Sequence, residues 1–381
     1  MVLGFDEQLS ILKFQNRFRA LKLPQGIDLT SNDYLGLRDH PVLRDVARKA
    51  IEDGIDLGAG GSRLLRGHTD YHQQLEEFAA SHYSSEKALY FANGFQANHA
   101  VFTTLPSRHD VIVYDSLIHA SVRDGIAASH AKSIKAAHSD LEAFEAALKR
   151  ARENCKGQIW IAVESVYSMD GDAAPLRELQ ELARKFDAIL IVDEAHGTGV
   201  CGKSGKGVSE GLSQENLITV HTCGKALGVA GGIVCAPGEI IDYMINHARP
   251  FIYSTAPPPL QALLTLESIK LVAGEEGQKQ RRKLHKICDF TERELQALGV
   301  SVPEIDGQAS HIMPIILGDD AKAVEVANAL QEAGYDIRAI RPPTVPEGTA
   351  RLRLSLNANL SEETIADFLS QLAPHMLQKA A

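Results

Sequence analysis

Between residues 88 and 222 the chain repeats one pattern: a short apolar run, a polar or small-residue break, then an amphipathic stretch. The runs are Ala88 to Phe91, Val111-Ile112-Val113-Tyr114, Ile159-Trp160-Ile161-Ala162-Val163, Ala188-Ile189-Leu190-Ile191-Val192 and Leu217-Ile218-Thr219-Val220. They are apolar without alternation, so each reads as a strand covered on both faces by helices. Helices are expected near 119–128 and 175–186, with another of about ten residues behind a capping box made by Ser139 and Glu142. Alternating strands and helices give an α/β layer fold with a mainly parallel sheet. Polar residues cluster just after the strands, where such sheets bind ligands.

The flanks have a different texture. Residues 1–45 read as an N-terminal arm and short strand. Leu9, Leu12, Phe14, Phe18 and Leu21 recur there at helical spacing, and a strand from Leu29 runs into an Asn/Asp-rich turn. Residues 46–256 form the large α/β domain, with a helix over 70–83 at its start. Residues 257–381 form a smaller α+β domain. Pro257-Pro258-Pro259 opens long helices through about 298; a strand over Ile312 to Leu317, a helix near 320–333, two short strands and a helix from Ser361 follow.

Composition narrows the partners. Net charge over the 381 residues is −10, which argues against nucleic acid or an anionic membrane. No apolar run reaches the ~18 residues needed to span a bilayer, and no signal pattern opens the chain. The five cysteines form no C-x-x-C pair. Neither a metal site nor a disulfide framework is suggested, and free thiols suit a reducing cytoplasm.

Two residues stand in unusual places. Lys225 follows an apolar run, among small residues in His221-Thr222-Cys223-Gly224-Lys225-Ala226-Leu227-Gly228. It is either a strand-end lysine reaching for solvent or an amine whose pKa is pushed down until it becomes a nucleophile. Asp193 closes the most apolar strand, where a carboxylate either caps the next turn or awaits a cationic partner. A phosphate-loop pattern, Gly197 to Ser204, directly follows Asp193-Glu194-Ala195-His196 and raises the possibility of an NTPase. Gly205, Gly207 and Gly211 oppose the helix that Lys203 and Ser204 would have to open. The acidic box also sits on the same strand as the loop rather than on a separate one.

An amine, a strand-end acid and a phosphate cradle are what pyridoxal phosphate requires. The order Gly94, His119, Asp193, His196, Thr222, Lys225 places each candidate near a strand end or strand–helix junction. With Ser31-Asn32-Asp33-Tyr34-Leu35-Gly36-Leu37, Gly60-Gly61-Ser62-Arg63, Ser168-Met169-Asp170-Gly171-Asp172 and Ser254-Thr255-Ala256, the chain resembles the α-oxoamine synthases, fold-type I pyridoxal-phosphate enzymes. The resemblance runs from about Asp28 to the C-terminus. It implies that Lys225 bonds the cofactor's aldehyde, Asp193 pairs with the ring nitrogen and His119 stacks on the ring. It also implies that His196 and Ser168 serve the ring oxygen, that Thr222, Gly94 and Phe95 bind phosphate, and that Ser254 and Thr255 reach the cofactor of a partner subunit in a homodimer.

The segment Ile340-Arg341-Pro342-Pro343-Thr344-Val345-Pro346, with Arg351-Leu352-Arg353-Leu354-Ser355, is similar to the branch of this family that serves biotin biosynthesis. That likeness implies condensation of L-alanine with a pimeloyl thioester. Arg341 is then expected to hold the carboxylate of alanine and Asn32 to line the pocket. The rivals are glycine with a different acyl donor and a catalytically silent protein of the same fold. Two features depart from the family. The usual N-terminal arginine is matched by two candidates, Arg17 and Arg19. Cys223 replaces an aromatic or aliphatic residue, and its thiol is expected to be oxidation-sensitive if nearby cations lower its pKa.

Overall fold

The computed structural model describes residues 4–376, which divide into two compact units. The larger comprises Leu35–Tyr167 and Ala173–Arg281. Its centre is a seven-stranded sheet: β1 Lys87–Phe91, β2 Val111–Asp115, β3 Lys132–Ala136, β4 Ile159–Glu164, β5 Ala188–Asp193, β6 Leu217–Thr222 and β7 Gly232–Ala236. The spatial order is β1-β7-β6-β5-β4-β2-β3, and only β7 runs against its neighbours.

Successive strand residues point to opposite faces, and both faces are covered. Ile112, Trp160, Ile191 and Ile218 join one core with Phe91, Val101, Phe102 and Met244. Val111, Val113, Ile161, Leu190 and Val192 join the other with Phe144, Leu148 and Leu179. That double burial is why the strands read as unbroken apolar runs. Two helices matter below: α1, Gly94–Thr104, follows β1, and α2, Ala120–Ala128, follows β2. The helix Pro259–Ala273 also belongs to this unit.

One expected cap is replaced. Ser139 takes a positive φ of 50°, and Asp140 caps the helix Leu141–Asn154 instead, accepting the Ala143 N–H at 3.0 Å. Asp is as good an N-cap as Ser, and the helix runs 14 residues, longer than expected.

The stretch that mimics a phosphate loop opens no helix at Lys203; it is a chain of turns. Its organiser is Glu194, fully buried, whose carboxylate accepts the N–H groups of Val208 (3.2 Å) and Ser209 (2.7 Å). Burial pushes that carboxyl above its usual range, against those bonds. The glycines bring the loop's backbone onto this carboxylate.

The smaller unit comprises the residues up to Tyr34, Ser168–Asp172 and the chain from Arg282 on. It holds a three-stranded antiparallel sheet with Ala350–Ser355 between Ile312–Gly318 and Ala339–Ile340. The first strand is Ile27–Asp28, earlier than expected, and it pairs with Tyr335–Asp336. Three short strands rather than two therefore follow the helix Asp320–Glu332. The arm carries the helix Phe5–Phe14, with no buried residue. Among the described residues no helix is long and apolar enough to cross a membrane.

Gly207 and Gly211 both have positive φ, +116° and +91°, but a Cβ at Gly207 would lie 2.4 Å from the Glu194 carboxyl carbon, and one at Gly211 would meet nothing within 4 Å. Gly207→Ala should therefore destabilise the protein by roughly 1–3 kcal/mol more than Gly211→Ala, the scale of an unmet buried acceptor. Thermal unfolding of the two variants measures the difference; equal midpoints would remove Glu194 as the loop's anchor.

Candidate active site

The predicted residues of the larger unit gather at the carboxyl ends of its strands. β5 ends at Asp193 and β6 at Thr222, paired in parallel register with Asp193 opposite Val220. Beyond β6 the backbone turns tightly. The Val229 N–H bonds the Cys223 carbonyl at 3.1 Å and the Gly228 N–H bonds that of Lys225 at 2.8 Å. This turn holds Lys225 half-buried, with its Nζ 2.9 Å from Nε2 of His196, which is itself 3% exposed. Lysine and histidine, 29 residues apart in sequence, thus meet as a candidate amine and its partner.

Asp193 is 4% exposed, and its carboxylate is held by neutral donors alone. Oδ1 accepts the Ala195 N–H at 2.9 Å, and Oδ2 accepts Nδ2 of Asn98 at 2.6 Å. It makes no ion pair among the described residues, so a buried negative charge lacks a cation. The Asn98 amide also donates to Oγ of Ser121 at 3.0 Å, and that oxygen lies 2.8 Å from Nδ1 of His119. His119 caps α2. Its imidazolium form is disfavoured first by desolvation and next by the charge of Lys225, while Asp193 acts in the opposite sense. The net direction is down, although the residue as a whole is exposed.

The third element is a cradle. A Cβ at Gly94 would lie 2.3 Å from the Thr222 hydroxyl, so only glycine lets α1 begin against the end of β6. Asn93 caps α1 through the Gln96 N–H at 2.8 Å, and the Ala97 N–H returns to the Asn93 carbonyl. The Gly94 and Phe95 N–H groups open α1 and have no intrahelical acceptor, and Gly94 lies against the Thr222 hydroxyl. A helix N-terminus of this kind favours an anion. The Phe95 side chain is 48% exposed. Ser254 accepts from the Gln96 amide at 3.1 Å, and Thr255 faces solvent. Anion cradle, uncompensated carboxylate and lysine amine together fit a phosphorylated, cationic, carbonyl-bearing group such as pyridoxal phosphate.

The smaller unit carries the remaining candidates. Arg353, 7% exposed, donates to the Ser168 carbonyl (2.5 Å), Asn32 Oδ1 (3.0 Å), Ser355 Oγ (2.5 Å) and Tyr34 OH (3.3 Å). All four acceptors are neutral, and among the described residues this buried guanidinium has no carboxylate partner. Arg351, two residues earlier, is neutralised by Asp170 at 2.5 Å. Arg341 is half-buried, and desolvation lowers its pKa, with Asp320 acting against this and Arg19 with it. Arg17 pairs with Asp320 (2.8 Å) and Glu347 (3.0 Å), whereas Arg19 donates to the Thr344 hydroxyl at 2.9 Å.

Two residues escaped the sequence reading. Asn98 looks like an ordinary polar residue within a helix. Arg353 lies in the strand Ala350–Ser355, whose sequence alternates charged and apolar residues and carries no more than a family likeness. Every position of that strand is buried, and no local pattern signals it.

The aminotransferase class I and II family model matches residues 24–372. An 8-amino-7-oxononanoate synthase of Cupriavidus taiwanensis is 42% identical over 92% of this chain and 88% of its own. Among solved structures, the 8-amino-7-oxononanoate synthase of Francisella tularensis superposes with a TM-score of 0.76 at 31% identity, covering 92% of this chain and 97% of that one. A lysine-to-alanine variant of a serine palmitoyltransferase from S. paucimobilis, solved with a bound PLP–myriocin aldimine, reaches a TM-score of 0.88 at 26% identity, covering 98% and 96%.

Cys223 departs from the expectation of a sensitive thiol. It is fully buried, and burial with neighbouring Cys235 pushes its pKa up, not down. Cys201, Cys235 and Cys288 are buried too, and Cys155 is only partly covered. Iodoacetamide on the native protein should therefore label Cys155 and spare the other four. Modification of Cys223 at a rate like that of Cys155, read by peptide mass mapping, would overturn this.

Proposed function

The chain belongs to the aminotransferase class I and II family, and on that premise we propose that it condenses L-alanine with a pimeloyl thioester. The products are 8-amino-7-oxononanoate, carbon dioxide and the free thiol carrier, a step of biotin biosynthesis. It has the fold-type I architecture and is a pyridoxal-phosphate-dependent acyltransferase. The observation that carries the reading is Asp193: a buried carboxylate with neutral donors only, on the strand edge that also presents Lys225 and the Gly94–Thr222 cradle.

When bound, pyridoxal phosphate supplies an aldehyde for an amine to condense with and a cationic ring that draws electrons from the amino acid's α carbon. Asp193 would meet the ring nitrogen and keep it protonated, which removes the charge imbalance at this buried site. Thr222 and the Gly94 and Phe95 N–H groups would hold the phosphate. Lys225 would bond the aldehyde and, once displaced by alanine, take the α-proton on Nζ; its 2.9 Å neighbour His196 shares that proton's surroundings and would reach the ring oxygen with Ser168. His119 would lie on the ring, uncharged. Ser254 and the exposed Thr255 would serve the cofactor of a second copy in a homodimer, and a cytoplasmic setting suits cysteines that form no disulfide among the described residues.

The substrates bring two carboxylates, and among the described residues of the smaller unit neither Arg353 nor Arg341 is in an ion pair. Arg353 is bonded to Asn32, expected to line the pocket, and to the backbone of Ser168, whose side chain is expected to serve the ring oxygen. It suits alanine's carboxylate, which a guanidinium fork grips better than an ammonium. Arg341 then suits the distal carboxylate of the pimeloyl chain. Arg19 supports it, since its charge is close enough to disfavour the Arg341 cation and an anion between the two would relieve this. Arg17 is already committed to Asp320 and Glu347.

Lys225→Ala should abolish turnover of alanine and pimeloyl thioester. Arg353→Lys should raise the KM for alanine about 10- to 100-fold, the range set by roughly 1.5–3 kcal/mol for a charged hydrogen bond. Arg341→Ala should raise the KM for the thioester by a similar factor and leave that for alanine in place. Steady-state assays with alanine and with glycine read all three. Faster turnover of glycine with a shorter acyl donor would replace the substrate assignment and leave the cofactor chemistry standing.

A further inference from the structure

The side chain of Asn98 is 3% exposed, and it is the one polar side chain among α1's buried positions, which are otherwise Gly94, Ala97, Ala100, Val101 and Phe102. Alanine or leucine would suit the helix and the core better. The orientation of its amide is fixed by its neighbours. Nδ2 lies 2.6 Å from Asp193 Oδ2 and 3.0 Å from Ser121 Oγ, so each of its two hydrogens has an acceptor. Turning the amide over would set its carbonyl oxygen against a carboxylate. As it stands, Oδ1 is buried with no partner. An unmet buried acceptor is destabilising, so the fold keeps this amide in spite of the carbonyl, for what the nitrogen does.

What the nitrogen does can be followed bond by bond. Ser121 Oγ accepts from Asn98, which leaves its own hydrogen to donate. Its neighbour on that side is Nδ1 of His119, at 2.8 Å. The Ser121 backbone N–H also points at Nδ1, at 3.2 Å. A ring nitrogen receiving two donors carries a lone pair, not a proton. His119 is therefore the neutral tautomer with its proton on Nε2. The bond direction runs one way, from Asn98 through Ser121 to His119, and the same amide's second hydrogen anchors Asp193.

We propose that Asn98 is a positioning residue that couples Asp193 to His119: one amide orients the carboxylate for the ring nitrogen and, through Ser121, fixes the Nε2-protonated imidazole. The roles of Asp193 and His119 come from the function proposed above. Asn98 touches neither cofactor nor substrate and acts through both. The charged groups facing His119 are Asp193 at the end of β5, Lys225 beyond β6 and Asp124 on α2. None of them supplies the donors to Nδ1. The arrangement keeps Nε2–H available as a hydrogen-bond donor without placing a second positive charge beside Lys225.

The test separates the two limbs with Asn98→Ala and Ser121→Ala. The readouts are the dissociation constant for pyridoxal phosphate and the His119 pKa of the cofactor-free chain, followed by NMR of labelled histidine and assigned with His119→Gln. Ser121→Ala removes the hydroxyl donor that favours neutral His119, so that pKa should rise, while cofactor affinity stays within about twofold of wild type. Asn98→Ala should raise the His119 pKa as well, and it should weaken cofactor binding about tenfold because Asp193 Oδ2 has lost its donor. An Asn98→Ala protein that melts earlier but keeps both quantities at wild-type values would reduce Asn98 to a packing residue and overturn the proposal. If Asn98→Ala does not fold, Ser121→Ala decides, and an unchanged His119 pKa overturns it. A wild-type chain that binds no pyridoxal phosphate would strike at the function proposed above instead, leaving the tautomer measurement to judge the hydrogen-bond chain on its own.

Discussion

The larger unit is organised around a buried negative charge. Asp193 ends a strand whose other residues belong to two apolar cores, and its carboxylate is almost wholly withdrawn from water. Neutral N–H groups hold it in place but do not cancel its charge. Left so, it is a standing liability. A cationic aromatic ring arriving at the strand edge removes that liability, and the cradle at Gly94 and Thr222 offers a place for the anion that such a ring would carry. Site and sheet are therefore one construction: the double burial that makes the strands apolar also makes the carboxylate at their end reactive toward a cation.

The neighbouring carboxylate plays a different part. Glu194, one residue on, faces the glycine loop and is satisfied by backbone donors there. Adjacent strand-end acids thus divide the work, one binding the loop that follows and the other left for a ligand. The sequence pattern that mimics a phosphate loop is a by-product of this. Its glycines are needed for backbone to approach Glu194, as at Gly207, not for wrapping a nucleotide.

Most of the sheet was legible because covered strands leave an unambiguous apolar signature, and Lys225 and Asp193 stood out as charges where apolar strands end. Other features depend on information that no local window contains. Asp140 rather than Ser139 caps its helix because the backbone at Ser139 turns left-handed. Arg353 sits in an alternating strand, and its burial is set by strands and turns distant in sequence. Asn98 reads as a weak helix former until its two partners, 23 and 95 residues away, are in place. The candidate site was visible as a list of reactive groups, whereas the residues that orient them appear only once the chain is folded.

The central claim is that Lys225 is the amine that holds pyridoxal phosphate, with Asp193 as the ring's counter-ion. Borohydride reduction of the purified protein loaded with pyridoxal phosphate fixes the cofactor to whichever amine bears it, and peptide mass mapping then identifies that residue. The account predicts a single pyridoxyl adduct on Lys225, much diminished in Asp193→Ala. An adduct on another lysine, or equal labelling with and without the Asp193 carboxylate, would contradict it.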